Sequence, residues 1–130
     1  MDLTSGAYNP PFMNLEDLRS FCQQLPAATE DIKWGHDLCF SVGQKMFCVM
    51  SLDSPTTVSF KASDEDFSLL TETPAIIPAP YMARHHWVLV QELSRFTAPE
   101  WQEYVRKSYD LVWVKLPRRV QQELSSRTSA

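Results

Sequence analysis

Residues 37–51, DLCFSVGQKMFCVMS, decide the fold. Leu38, Phe40 and Val42 alternate with polar or small residues, the period of a strand with one buried face. Gly43-Gln44 suits a two-residue turn, and Gly at its first central position points to type II′. That turn sets Val42 opposite Lys45, Phe40 opposite Phe47 and Leu38 opposite Val49, so the large apolar pairs share one face. The same register puts Cys39 opposite Cys48 on the other face, as a non-hydrogen-bonded pair with Cα atoms about 4.5 Å apart. A disulfide is just within reach there. Two reduced thiols are the expectation, with a redox pair as the alternative.

On the N-terminal side, Asn14 is a good helix N-cap with Asp17 three residues on, and Leu15, Leu18, Cys22 and Leu25 fall on one helical face until Pro26. An acidic connector, 27–31, leads to a short strand at 32–34. On the C-terminal side, Thr56–Lys61 reads as a strand with Val58 and Phe60 inward. Ser63 then caps a helix whose first turn, Asp64-Glu65-Asp66, is acidic and suits the helix dipole. Ala75–Pro80, with prolines at 78 and 80, reads as an extended connector. His86–Gln91 follows as a strand, with Trp87, Leu89 and Gln91 on one face and His86, Val88 and Val90 on the other. Thr97-Ala98-Pro99-Glu100 is a capping box with Pro in the first turn. Leu111–Val114 is apolar all round, which calls for deep packing or a bend near Ser108. Val120–Leu124 adds a last helical turn.

Short sequential connections make the sheet antiparallel, with helices mainly on one face: a two-layer α+β domain. Its expected limits are 13–124, after a loose leader at 1–12 and before a frayed tail at 125–130. The leader has neither the cationic start nor the apolar core of a signal peptide. No apolar run approaches the roughly 20 residues that span a bilayer. With Cys22, Cys39 and Cys48 at no metal-binding spacing, the thiols are expected free, the compartment cytoplasmic, and no metal or cofactor is expected.

Net charge is −4, unevenly spread: residues 1–83 carry −7 and residues 84–130 carry +3. The C-terminal part can therefore present a positive face on an acidic protein. Enzymatic chemistry is not indicated. The glycines, at 6, 35 and 43, form no phosphate loop, and no Cys can be placed beside a His. In Pro78–Val90, PAPYMARHHWVLV, consecutive His85 and His86 point to opposite faces of a strand and cannot share a metal. Tyr81, Met82 and Trp87 are expected to plug the end of the core while one histidine bonds to backbone. Arg84, His85 and His86 can instead form an electropositive rim beside an aromatic, a surface for phosphate or base stacking.

The hairpin end GQKMF, the segment IIPAPYMARHHWVLV and the segment SYDLVWVKLP together resemble the signature blocks of the MmcQ/YjbR family, over about Met13 to Leu124. The resemblance implies a small cytoplasmic α+β domain with a CyaY-like arrangement. It also implies DNA binding, by analogy between the family's hairpin wings and winged nucleic-acid readers, and brings no catalytic residues. The contact residues expected are Lys45, Arg84, His85, His86, Lys115, Arg118 and Arg119, engaging DNA weakly and without sequence preference. The alternative is a protein-interaction or small-ligand module. A contiguous positive surface favours the first and an apolar cleft the second.

Overall fold

The computed structural model describes residues 12–128. The chain runs α1 (Leu15–Gln24), β1 (Thr29–Lys33), β2 (Asp37–Val42), β3 (Lys45–Ser51), β4 (Val58–Lys61), α2 (Asp64–Leu70), β5 (Ile76–Pro78), β6 (Trp87–Val90), α3 (Ala98–Val114) and α4 (Arg118–Thr128), with 3-10 turns at Ala83–His85 and Leu93–Arg95. The strands form one six-stranded sheet in the order β1-β2-β3-β4-β6-β5, every neighbouring pair antiparallel. This is the α+β class expected. The leader, apart from Phe12, and the last two residues lie outside the described residues; residues 125–128, read as frayed, continue α4.

The helix starts follow their caps. Asn14 and Asp17 close a reciprocal box at α1, Ser63 caps α2, and Thr97 and Glu100 close a second box at α3. Each box satisfies backbone N–H groups that the first helical turn leaves without partners.

The central hairpin departs from the expected register in one place. Gly43 and Gln44 have φ of 57° and 68°, so the turn is type I′, which needs positive φ at both positions, and not II′. Val42 still opposes Lys45, but Phe47 is an extra residue: Phe40 opposes Cys48, Cys39 opposes Val49 and Leu38 opposes Met50. The β-bulge places Phe47, Cys48 and Met50 all in the core, where strict alternation would leave Cys48 and Met50 outside. What holds it is remote in sequence. The Ser108 hydroxyl on α3 donates to the Phe47 carbonyl at 2.7 Å and accepts the Lys61 N–H of β4 at 2.9 Å. Phe40 and Phe47 are both buried with ring centroids 6.4 Å apart, as expected of the pair. Cys39 and Cys48, however, lie on opposite faces of the sheet, which removes the proposed thiol pair. Cys48 meets Cys22 of α1 instead, and that hydrogen bond together with burial pushes the Cys48 thiol well above its ordinary pKa.

Inward rows run Leu38–Met50–Val58–Val90–Ile76 and Phe40–Cys48–Phe60–Val88 across the sheet, under Leu18 and Cys22 of α1 and Trp101, Val105 and Val112 of α3. Helix α3 runs unbroken from Ala98 to Val114 and does not bury its apolar run whole: Val112 is buried and Val114 is 66% exposed. The opposite row, Asp31–Cys39–Val49–Ser59–Leu89–Ile77, faces away from that helical layer.

Further expectations change. Strand β1 begins at Thr29, within the expected acidic connector, and Ile76–Pro78 is an edge strand where Pro is tolerated. His86 is not in β6; it closes the 3-10 turn at φ 62°. Val88 and Val90 do face the core, with Trp87 and Leu89 on the other side. Trp87 is buried, but Tyr81 is fully exposed and plugs nothing.

Candidate nucleic-acid interface

The turn of the β2–β3 hairpin, the C-terminal end of β4, the loop entering β6 and the α3–α4 elbow meet at one end of the sheet. Antiparallel pairing brings Lys61 opposite Trp87, just past the Ala83–His85 turn. The Lys61 ammonium donates to the His85 carbonyl at 2.7 Å. From the helical layer, Leu116 presses on the turn so closely that a Cβ on Gly43 would lie 2.7 Å from its methyl group. Lys45 at the turn and Lys115 beside Leu116 are thereby drawn to the same end.

Exposed there are Lys45, Arg84, His85, Lys115, Arg118 and Arg119. The two arginines that open α4 diverge. Arg119 lines a groove with Gly43 and Gln44, whereas Arg118 lines a separate depression with Trp113 and Gln121. The group of cations at this end therefore leaves out Arg118. It gains Lys61, read only as a strand end. Burial, and then the charge of Lys115, pull the Lys61 pKa below the ordinary lysine value. The sequence signal for Lys61 was weak: a cation ending a strand that lies opposite the residue following the ARHH run.

The ion-pair pattern separates two sets of cations. Arg19, Arg106, Lys107 and Arg127 are each held by a carboxylate: Glu30, Asp110, Asp66 with Glu103, and Glu123. Among the described residues, Lys45, Lys61, Arg84, Lys115, Arg118 and Arg119 join no such pair, and neither do Lys33 and Arg95 elsewhere in the chain. Asp64, whose charge acts on Lys61, is engaged by His86 Nδ1 at 2.6 Å. His86, with its ring 5.0 Å from Phe67, thus ties α2 to the loop and is not part of an open rim. Among the described residues, neither the His85 nor the His86 ring makes the backbone hydrogen bond expected of one of them. No cluster of three metal-ligating side chains occurs among the described residues, and no helix among them is long and apolar enough to cross a membrane.

A family model for YjbR matches residues 23–111, and the chain belongs to the YjbR family. Lys45, Lys61 and Arg84–His86 fall inside the match, and Lys115, Arg118 and Arg119 beyond it. Among solved structures, the chain is similar to the Deinococcus radiodurans protein DR2400, with a DUF419 domain, at 28% identity and a TM-score of 0.79 over 91% of this chain and 92% of that one. It is also similar in fold to a Pseudomonas syringae protein at 20% identity and a TM-score of 0.64, over 77% of this chain and 99% of that one. Comparison with curated proteins gives no match.

Proposed function

We propose that this YjbR-family domain is a non-enzymatic nucleic-acid-binding module that engages the phosphate backbone weakly and without sequence preference. Its contact surface is the end of the sheet carrying Lys45, Lys61, Arg84, His85, Lys115 and Arg119. The observation that supports the reading is that the five lysines and arginines gathered here lack carboxylate partners, while four of the other seven have one. Unpaired surface cations are the ones free to release counterions from a phosphate backbone. A cytoplasmic setting accords with the reading, since it keeps three free thiols reduced.

The test is a salt titration of binding to duplex and single-stranded DNA. With Lys45, Lys61, Arg84, Lys115 and Arg119 in contact, log affinity falls with log salt at a slope no steeper than about −4.5, and affinity at physiological salt lies at roughly 10⁻⁴ to 10⁻⁶ M. Replacing Lys115 and Arg119 by Ala shallows the slope by about 2. Arg118→Ala, on the divergent face, leaves it nearly unchanged. Affinity that is flat across salt, or absent at low salt, overturns the reading.

A further inference from the structure

A second surface lies on the side of the sheet away from α1 and α3. Of the depressions there and elsewhere, the one of about 510 Å³ beside α2 is already neutralised, its Lys107 bridging Asp66 and Glu103. The one of about 640 Å³ between the hairpin turn and α4 belongs to the cationic end described above. Another depression is a cleft of about 390 Å³, floored by Val49, Leu89 and Trp87 and flanked by Trp34 and Tyr81.

The two flanking aromatics sit where such residues are unusual. Trp34 and Gly35 have φ of 54° and 78° between a Lys33 carbonyl and a His36 N–H that bond at 3.3 Å. Trp34 thus holds the first central position of a type I′ turn, where Asn, Asp or Gly is usual. Tyr81, at φ 67°, follows Pro80 in a turn closed by the Met82 N–H on the Ala79 carbonyl at 3.1 Å. That is the third position of a type II turn, which calls for Gly or Asn. Left-handed backbone strains both residues, and both side chains are exposed, Trp34 at 65% and Tyr81 at 101%. Neither ring stabilises the core, so strain and exposed apolar area fall together on one cleft. Such coincidence is characteristic of binding sites.

The electrostatics select the ligand. Asp37 is the charged side chain in the cleft lining, which includes no Lys or Arg. Lys33 stands across the ladder from Asp37 and Lys61 across from Trp87, and with Asp31, Asp37 and Asp53 in the same region the balance is still net negative. His36 lies 3.8 Å from Asp37 and 3.9 Å from Asp53. An anion is repelled. A neutral apolar ligand would strip water from the Asp37 carboxylate with nothing in return. A ligand rich in hydrogen-bonding groups finds mainly carbon and aromatic surface. A cation that needs no hydrogen bonds matches both features, because aromatic faces and a carboxylate attract it while its alkyl groups fill the apolar floor.

We propose that this cleft binds a small quaternary ammonium compound between Trp34, Tyr81 and Trp87, with Asp37 as counter-charge. The cleft volume falls in the range of small-molecule sites. The site shares no residue with the cationic end, so the two proposals fail separately.

The experiment titrates the full chain with choline and with its neutral isostere 3,3-dimethylbutan-1-ol at fixed ionic strength, following indole resonances by NMR. Choline gives saturable shifts at the Trp34 and Trp87 indoles, and the alcohol binds at least about tenfold more weakly. Asp37→Asn and Tyr81→Ala each weaken choline binding by about tenfold or more. Trp34→Asn, which supplies the residue the turn prefers, abolishes choline shifts at Trp87 while raising the melting temperature; that rise separates lost binding from lost folding. Equal affinity for choline and the alcohol, no saturable shift with choline, or unchanged binding by Trp34→Asn overturns the proposal. A trimethyllysine peptide binding far more tightly than choline overturns its small-molecule source in favour of a protein partner.

Discussion

Ser108→Ala is the substitution from which the structure predicts the largest effect for the smallest chemical change. Ser108 is fully buried, and its hydroxyl links the bulged residue Phe47 to the end of β4. Removing the oxygen leaves the Phe47 carbonyl without that donor and the Lys61 N–H without that acceptor, in a site closed to water by α3. Each orphaned group costs about 1–3 kcal/mol. Allowing for partial relaxation, the variant loses roughly 2–4 kcal/mol, a large share of the 5–15 kcal/mol typical of a domain. Chemical denaturation of Ser108→Ala beside Ser68→Ala, which alters an exposed position of α2, isolates the effect; the control stays within about 0.5 kcal/mol. Amide exchange adds a local readout, because the Lys61 N–H should lose protection beyond its strand neighbours. A Ser108→Ala cost below about 0.5 kcal/mol, with Lys61 still protected, would refute the role given to the hydroxyl.

Gly43→Ala combines left-handed strain with a Cβ at 2.7 Å from Leu116 and should cost about 1–3 kcal/mol, whereas Gly35→Ala, with nothing within 4 Å, carries the strain alone and costs about 1 kcal/mol. Equal denaturation midpoints for the two variants would show that Leu116 yields freely. Arg19 holds the Glu30 carboxyl below its ordinary pKa, so this contribution to stability is complete above the ordinary glutamate value and is lost as pH falls through the lower folded one. Arg19→Ala should remove that part of the acid-side pH dependence, and an unaltered profile between pH 3 and 5 would exclude it (roughly the glutamate range). The native protein should react slowly with thiol reagents at neutral pH and show three free thiols once denatured, with no Cys39–Cys48 cross-link under mild oxidation. Rapid labelling of Cys48 in the native state would contradict its placement.

The parts of the fold legible in the sequence are those fixed by local chemistry. Asn14, Ser63 and Thr97 announce their helices because a cap is satisfied within three residues. The alternation of Trp87, Val88, Leu89 and Val90 fixes the faces of β6 without tertiary information. The bulge at Phe47 was not legible, since its stabilising partner is 61 residues away in Ser108. The turn type was missed for a related reason: Gly at the first central position is compatible with I′ and II′, and Gln44 is an unusual occupant of left-handed backbone. At the candidate interface, residue type identified the exposed cations but not their directions. Arg118 and Arg119 are neighbours in sequence and part company on α4, while Lys115, far from Lys61 in sequence, is close enough for its charge to act on Lys61.

The blocks through which the chain resembles its family acquire a physical meaning in this arrangement. GQKMF and SYDLVWVKLP interlock at one corner: Ser108 bonds to Phe47, Tyr109 packs edge-on to the Phe47 ring at 5.3 Å, and Leu116 fills the space a side chain on Gly43 would need. The same Tyr109 hydroxyl donates to the Pro26 carbonyl and so fastens the end of α1 to α3. These contacts explain the two blocks as packing, with Lys45 and Lys115 displayed on the result. The segment IIPAPYMARHHWVLV divides differently. Val88 and Val90 enter the core, Arg84 and His85 join the cationic end, and Tyr81 stands over the cleft on the opposite face. The two surfaces also differ in what they cost the fold. Solvated cations at a sheet end burden the fold little, since exposed charges are easily tolerated. An aromatic in left-handed backbone is different: Trp34 and Tyr81 oppose both local preference and burial. Packing accounts for the corner, and charge accounts for its display. Neither accounts for two exposed rings at turn positions that ordinarily take Asn or Gly, and a ligand between them does.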